Sequence, residues 1–159
     1  MSTPDTGAPT MLEATPAELA AHKGEHLGPT PWRTMTQERV NQFADVTEDH
    51  NFIHVDPERA AATPFGGTIA HGYLTVSLLA PLSGELMRVK DAAIAINYGM
   101  NKLRFPGPLP VGADFRATGV LNDVTEVPGG VQVALEITVE VRDAPKPSLV
   151  AECLYRFLT

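Results

Sequence analysis

The chain has 159 residues, of which 43% are hydrophobic, and a formal net charge of −7. This length is typical of one domain that buries its own hydrophobic core. The acidic balance provides no overall basic field, so neither nucleic acid nor an anionic membrane surface is expected as a partner. A single cysteine, Cys153, cannot form an internal disulfide, which favours a reducing cytoplasm.

The amino-terminal residues are polar and carry no secretory signal. Residues 1–10 contain Ser, Thr and Pro but no basic start followed by an apolar stretch, which predicts a flexible tail. Residues 11–159 are predicted to form the single domain. The longest apolar stretch, residues 73–82, contains Pro81 and is shorter than the roughly 20 residues of a membrane helix. We therefore expect a soluble protein.

Helix signals dominate the first half of the chain. An N-cap type residue or a proline at the first helical position predicts short helices over residues 15–24, 36–46 and 56–61, with a loop between the last two. Residues 68–87 are apolar on nearly every side, which predicts a helix wrapped by other structure. Pro81 lacks a backbone donor, so a bend or an early end is expected there.

The second half of the chain has the period of strands. Apolar and polar residues alternate over residues 111–121, 131–141 and 149–157, and residues 94–100 begin a fourth strand with a bulge predicted near Asn101. Residues 128–130 predict a hairpin turn. The order indicates an α+β fold in which a curved antiparallel sheet wraps one buried helix. A second subunit is expected to cover the rest of that helix.

Groups able to transfer protons are concentrated in residues 45–56. Asp49 and His54 are five residues apart, so their side chains converge only if the segment forms the predicted loop. A carboxylate and an imidazole aimed at one point can hold a water, one group taking its proton while the other delivers a proton to a substrate. The alternative interpretation is that Asp49 caps a turn and His54 is a hydrogen-bonded, half-buried side chain.

The segment before the buried helix, residues 65–72, ends in His71 and Gly72. At a helix N-terminus, the Gly72 N–H is a candidate donor to a substrate oxygen that becomes negative; alternatively, the glycines only permit close packing. His71 either orients the loop through a hydrogen bond or fills a polar gap. A metal site from His50, His54 and His71 is not expected, because their spacing falls in a loop with no cysteine nearby.

Two motifs together carry a family resemblance. Residues 49–57, Asp-His-Asn-Phe-Ile-His-Val-Asp-Pro, and residues 70–72, Ala-His-Gly, resemble the MaoC-like family of (R)-specific enoyl-CoA hydratases. Residues 96–106 are similar to its single-domain bacterial branch related to nodulation protein N. The resemblance implies a hot-dog fold, a homodimer, no cofactor, and addition of water to an enoyl thioester carried by coenzyme A or acyl carrier protein.

The resemblance also implies roles for particular residues. Asp49 and His54 would activate one water, Asn51 lies between them, and the Gly72 N–H would bind the thioester carbonyl. The family's usual glycine and proline in this motif are Glu48 and Phe52 here. Local density indicates four candidate cations for the anionic carrier, although a solvated surface charge is the more common explanation of any one of them: Arg88, Lys90, Lys102 and Arg104.

Two other functions remain open at this point. A hot-dog thioesterase would hydrolyse the thioester, and enzymes of that kind often place a carboxylate on the central helix. Glu85 is the only carboxylate in that stretch, and it lies far along the chain from Gly72. The third interpretation is a module that binds acyl thioesters without catalysis.

Overall fold

The computed structural model describes residues 10–159. The expected tail therefore lies outside the described residues, except for Thr10, whose backbone pairs with that of Gly28. The helices in the described part are α1 (Gln37–Thr47), α2 (Phe52–Val55), α3 (Pro57–Ala61), α4 (Gly72–Ser77) and α5 (Leu79–Leu86). The strands are β1 (Leu12–Ala14), β2 (His26–Leu27), β3 (Arg33–Thr34), β4 (Met87–Val89), β5 (Ile94–Arg104), β6 (Asp114–Val127), β7 (Gly130–Val141) and β8 (Leu149–Leu158).

The main sheet is antiparallel and has the strand order β2-β6-β7-β8-β5, with β3 also paired to β6. The alternation of apolar and polar residues in the sequence explains why these segments form a sheet with one buried face. In β7, every second residue from Val133 to Val141 is buried. A two-residue turn joins β6 to β7, with Gly129 at φ 83°. The register of β5 against β8 shifts twice, once between Met100 and Lys102, so the bulge predicted near Asn101 is confirmed.

The core lies between this sheet and the helix pair α4–α5. Buried leucines of the helices, such as Leu79 and Leu82, belong to one apolar cluster with buried sheet residues such as Leu121 and Leu135. Burying such side chains is the main favourable contribution to folding. The predicted α+β hot-dog architecture, a curved antiparallel sheet around a central helix, is therefore confirmed.

The central helix begins later than predicted, whereas the break expected near Pro81 and the uncovered face are both present. It begins at Gly72 instead of Thr68, because residues 68–71 are extended and Ala70 donates to the Leu109 carbonyl at 2.8 Å. It is interrupted at Leu78, since Pro81 has no N–H to donate to the Ser77 carbonyl. One face is also open in the single chain, where Tyr73 is 75% exposed.

The helix predicted over residues 15–24 is wrong in type and length. Only a single 3-10 turn forms, at Leu19–His22, and Gly24 ends it with φ 85°. Thr15 does not cap it with its side chain; instead the Glu18 carboxylate accepts the Thr15 N–H at 2.8 Å. The helices predicted over residues 36–46 and 56–61 form as α1 and α3, with N-caps at Thr36 and Asp56. None of the helices in residues 10–159 is long and apolar enough to span a bilayer.

Candidate active site

The side chains of Asp49 and Asn51 hold the connection between α1 and α3 in shape. Glu48 has φ 64° and turns the chain at the end of α1. The Asp49 carboxylate accepts the Asn51 N–H at 3.3 Å, and the Asn51 side chain accepts the Ile53 N–H at 3.3 Å, so Asn51 is the N-cap of α2. The expectation of a loop throughout is therefore wrong over Phe52–Val55, where one helical turn carries His54.

His54 is held in a single orientation and is 7% exposed. Its Nδ1 lies 2.8 Å from the carbonyl oxygen of Ile69. A carbonyl can only accept, so Nδ1 carries the proton and Nε2 keeps a lone pair. Burial lowers the pKa of His54 below its ordinary value and the neighbouring His71 lowers it further, against the opposing effects of the Ile69 bond and Asp49. His54 is therefore arranged as a neutral proton acceptor.

His71 is 1% exposed and contacts both predicted catalytic residues. Its Nε2 donates to the Asp49 carbonyl oxygen at 3.0 Å. Its ring stacks on that of His54 with centroids 3.9 Å apart and planes 27° apart, while Phe43 packs beside it at 4.9 Å. The other nitrogen, Nδ1, is buried without a hydrogen-bond partner. The hydrogen bond expected of His71 is therefore present, and its partner is the backbone of Asp49.

The structure brings Asp49, His54 and His71 together, with one ligand-type atom from each lying within 4.8 Å of the others. A water hydrogen-bonded to two such atoms at about 2.8 Å with a tetrahedral angle spans about 4.6 Å. The group can therefore hold one water between the carboxylate and the imidazole.

A shared metal ion suits this geometry poorly. Imidazole lone pairs lie in the ring plane, and the nearly parallel rings of His54 and His71 do not direct them to one point at ligand distance. His50, the third histidine of the metal alternative, is exposed and its Nε2 bonds the Asp45 carboxylate at 2.9 Å. That bond is the main cause of a raised pKa for His50.

Gly72 is the first residue of α4, so its N–H belongs to the first turn, where a helix supplies no internal acceptor. A Cβ atom at this position would lie 3.1–3.4 Å from the ring of Phe105, tighter than an ordinary contact. Gly72 also lines a cavity of about 230 Å³ with Phe105 and Thr75. Gly72 therefore packs closely against Phe105 and also borders an open cavity.

The four cations proposed for the carrier are all exposed. Arg104 donates to the carbonyl of Leu103 at 2.8 Å, and Arg88 lies 3.6 Å from the Glu13 carboxylate. Arg104 directly precedes Phe105 and so lies at the end of β5 nearest Gly72. Lys102 stands opposite Glu152 in the sheet. The structure does not bring these cations into contact with Asp49 or His54.

Two functional contacts were missed from the sequence. The Gln37 side chain donates to the His54 carbonyl at 2.8 Å and accepts from the Thr68 hydroxyl at 2.6 Å, joining α1 to both halves of the site. No motif marks Gln37, which looks like any polar residue in the first turn of a helix.

Glu85 forms an ion pair with Arg33, which already engages the carboxylate that the thioesterase alternative would need.

Comparisons with known proteins agree with this arrangement. The MaoC like domain matches residues 18–142. The 3-hydroxyacyl-thioester dehydratase Z of Mycobacterium tuberculosis is 53% identical over 143 residues, 89% of this chain and 95% of that protein. Nodulation protein N of Rhizobium leguminosarum bv. viciae is 40% identical over 144 residues, 89% of each chain. The solved (R)-hydratase of A. caviae superposes with TM-score 0.71 at 25% identity, covering 85% of this chain and 96% of that one.

Fold and site together define a hot-dog domain with a paired Asp and His beside the start of its central helix. The chain belongs to the MaoC-like domain family, since the family match covers most of its length and the two curated relatives are similar along nearly all of theirs. The resemblance inferred from residues 49–57 and 70–72 is therefore confirmed.

Proposed function

We propose that this enzyme reversibly hydrates trans-2-enoyl thioesters to (R)-3-hydroxyacyl thioesters. The observation that carries the proposal is that buried His54, whose Nδ1 bonds the Ile69 carbonyl, has a ring nitrogen within 4.8 Å of a carboxylate oxygen of Asp49. The names of the relatives support it, since one is a 3-hydroxyacyl-thioester dehydratase and another an (R)-specific enoyl-CoA hydratase.

The reaction needs a water and a path for one proton. Asp49 and His54 hold the water, and His54 Nε2 takes its proton as the oxygen bonds to C3 of the substrate. The pair then delivers a proton to C2, so the atoms of one water are added without any change of redox state. Asp49 stabilises the transient positive charge on His54 through its own negative charge. The reverse sequence is dehydration.

Gly72 is proposed to bind the thioester carbonyl. As the C3–O bond forms, negative charge develops on that carbonyl oxygen, and a backbone N–H in the first turn of a helix is suited to stabilise it. Removing one such donor typically raises the barrier by about 2.7–4 kcal/mol. The open space of the adjoining cavity of about 230 Å³ gives the thioester a route to this N–H.

A larger cavity of about 380 Å³ is proposed to receive the acyl chain. It lies between α5 and strands β4, β5 and β8, and its lining includes Ala80, Ser83, Gly84 and Phe157. Tyr155 closes part of the wall, and burial raises its pKa to about 12, so its hydroxyl stays protonated. Ala80 in this lining is exposed and lies eight residues beyond Gly72 in the chain.

We further propose a cytoplasmic homodimer that accepts coenzyme A or acyl carrier protein thioesters. Strand β5 lies at the sheet edge, and three of its apolar residues, Ile94, Ile96 and Tyr98, are 54%, 38% and 54% exposed. An edge strand of this kind pairs readily with a second chain. A second copy would also cover Tyr73. Lys102 and Arg104 on the same strand are the proposed contacts for the carrier phosphates.

The proposal is tested by following loss of the conjugated enoyl absorbance with purified protein and an enoyl-CoA. Asp49→Asn should lower kcat/KM by a factor on the order of 10² because it removes the charge that holds the water and stabilises His54. Asp45→Asn is the matched control, since Asp45 is exposed and its carboxylate bonds His50, away from His54 and His71. Equal activity in both variants would reject the role of Asp49.

The same assay separates the other two functions. Release of free thiol from a saturated acyl-CoA, without loss of an enoyl group, would identify a thioesterase. Binding of enoyl-CoA with no turnover at any chain length would identify a non-catalytic module. The existing pairing of Glu85 with Arg33 gives the thioesterase no free carboxylate on the central helix.

A further inference from the structure

We propose that His71 is a positioning residue that fixes Asp49 and His54 relative to each other. This inference rests on the proposed function, because it assumes that those two groups share a water. His71 is suited to the task because it is the N-cap residue of α4, 17 residues beyond His54, and contacts one partner through an N–H and the other through its ring face.

The contact with Asp49 anchors an exposed part of the chain. Asp49 follows Glu48, whose φ of 64° turns the backbone away from α1, and both residues are exposed. The His71 Nε2–H bonds the Asp49 carbonyl oxygen at 3.0 Å. A fixed carbonyl limits where the Cβ atom of the same residue can lie, so this bond restricts the position of the carboxylate.

The contact with His54 restricts rotation of its ring. The Ile69 carbonyl already holds Nδ1 at 2.8 Å, and the His71 ring covers one face at a centroid distance of 3.9 Å. The two contacts thereby hold the ring in one orientation, with a nitrogen within 4.8 Å of an Asp49 carboxylate oxygen. His71 can act as a rigid support because it is 1% exposed and packed against Phe43.

Packing alone does not explain a histidine at this position. Its Nδ1 is buried with no hydrogen-bond partner, an unfavourable feature that a phenylalanine of similar shape would avoid. What a phenylalanine could not supply is the N–H on the opposite side of the ring. The residue type is therefore accounted for by the bond to Asp49.

Three substitutions separate the two contacts. His71→Gln keeps an amide N–H near the position of Nε2, His71→Asn moves it to the position of Nδ1, and His71→Phe keeps the flat ring without a donor. We expect kcat to fall on the order of tenfold or more in the Asn and Phe variants, with KM changing by less than about threefold. The Gln variant should recover a large part of this loss.

The pH profile gives a readout that a purely structural role would not change. The groups facing His54 are the Ile69 carbonyl, Asp49 and His71, and of these His71 lowers the pKa of His54. In His71→Gln the acid limb of kcat/KM should therefore move to higher pH. Thermal unfolding of each variant checks that the fold is intact.

Particular outcomes would overturn the inference. If the folded Asn and Phe variants keep kcat within twofold of wild type and the acid limb of the Gln variant does not move, His71 positions neither group. The effect should also be smaller in an Asp49→Asn background than in wild type, because His71 acts through that residue; equal effects in both backgrounds contradict the link to Asp49. Full activity of Asp49→Asn and His54→Gln would instead reject the proposed function itself.

Discussion

Two histidines in residues 45–56 differ in burial and in the direction of their pKa shift. His50 lies at the protein surface, the rim of the candidate site, and His54 lies in its interior. His50 is exposed and bonded to Asp45, and that bond raises its pKa. His54, four residues later, is 7% exposed, and burial lowers its pKa. The same side chain is thus biased towards its charged form at the rim and towards its neutral form in the interior. His54 is therefore the better candidate for the neutral proton acceptor.

The largest effect expected from this comparison is the loss of the interior histidine. His54→Gln should lower kcat/KM on the order of 10²-fold or more, because glutamine has no lone-pair nitrogen to take the proton. His50→Gln should stay within about twofold of wild type. Steady-state hydration of one enoyl-CoA by both variants measures the difference. A comparable loss of kcat/KM in His50→Gln would contradict the proposed difference between His50 at the rim and His54 in the interior.

The glycines offer a second matched pair. Gly72→Ala places a Cβ atom 3.1 Å from the Phe105 ring and beside the proposed carbonyl donor, whereas Gly67→Ala meets nothing within 4 Å. We expect kcat to fall roughly tenfold in the first variant, because the ring and the thioester must both shift. The second should leave kcat unchanged. Wild-type kcat in a folded Gly72→Ala protein would remove Gly72 from the mechanism.

A smaller and substrate-dependent effect is expected in the proposed acyl cavity. Ala80→Leu adds volume to the wall of the cavity of about 380 Å³, while Ala20→Leu adds it at an exposed position of the 3-10 turn. Ala80→Leu should lower kcat/KM for long enoyl chains about tenfold relative to the shortest one. A series of enoyl-CoA lengths measures this ratio. An unchanged ratio would place the acyl chain elsewhere.

The smallest predicted effect is a displacement of the acid limb of the pH profile. Activity requires neutral His54, so kcat/KM falls as pH drops through the pKa of this residue. Because burial lowers that pKa, the limb should lie below the ordinary histidine value of 6.5. His50→Gln should leave the limb in place. An acid limb above the ordinary histidine pKa would contradict this, because it would indicate a titrating base that is exposed and paired with a carboxylate, as His50 is.

The sheet and the segment that holds the proposed catalytic pair were predictable because their signals are local. Alternation over residues 131–141 identifies β7 directly, and the density of acidic residues and histidines over 45–56 marks the segment that contains Asp49 and His54. The family resemblance added Gly72 and the hot-dog fold. None of these inferences required knowledge of contacts between distant residues.

What was missed depends on such contacts. The partner of the expected His71 hydrogen bond, the Asp49 carbonyl, lies 22 positions away, and the unexpected Gln37 bond to the His54 carbonyl joins residues 17 positions apart. The late start of α4 follows from the pairing of Ala70 with Leu109, 39 positions away. The apolar pattern of residues 68–71, which predicted a helix, instead reflects this tertiary pairing.

Incorporation of labelled oxygen tests the central claim most directly. Wild-type protein is incubated with an enoyl-CoA in ¹⁸O-water for a single turnover, and the product is analysed by mass spectrometry and chiral chromatography. Addition of a water held by Asp49 and His54 predicts one ¹⁸O atom at C3 of an intact (R)-3-hydroxyacyl thioester, formed far more slowly by His54→Gln. Label found only in a released carboxylate, or equal labelling by the variant, would contradict the account.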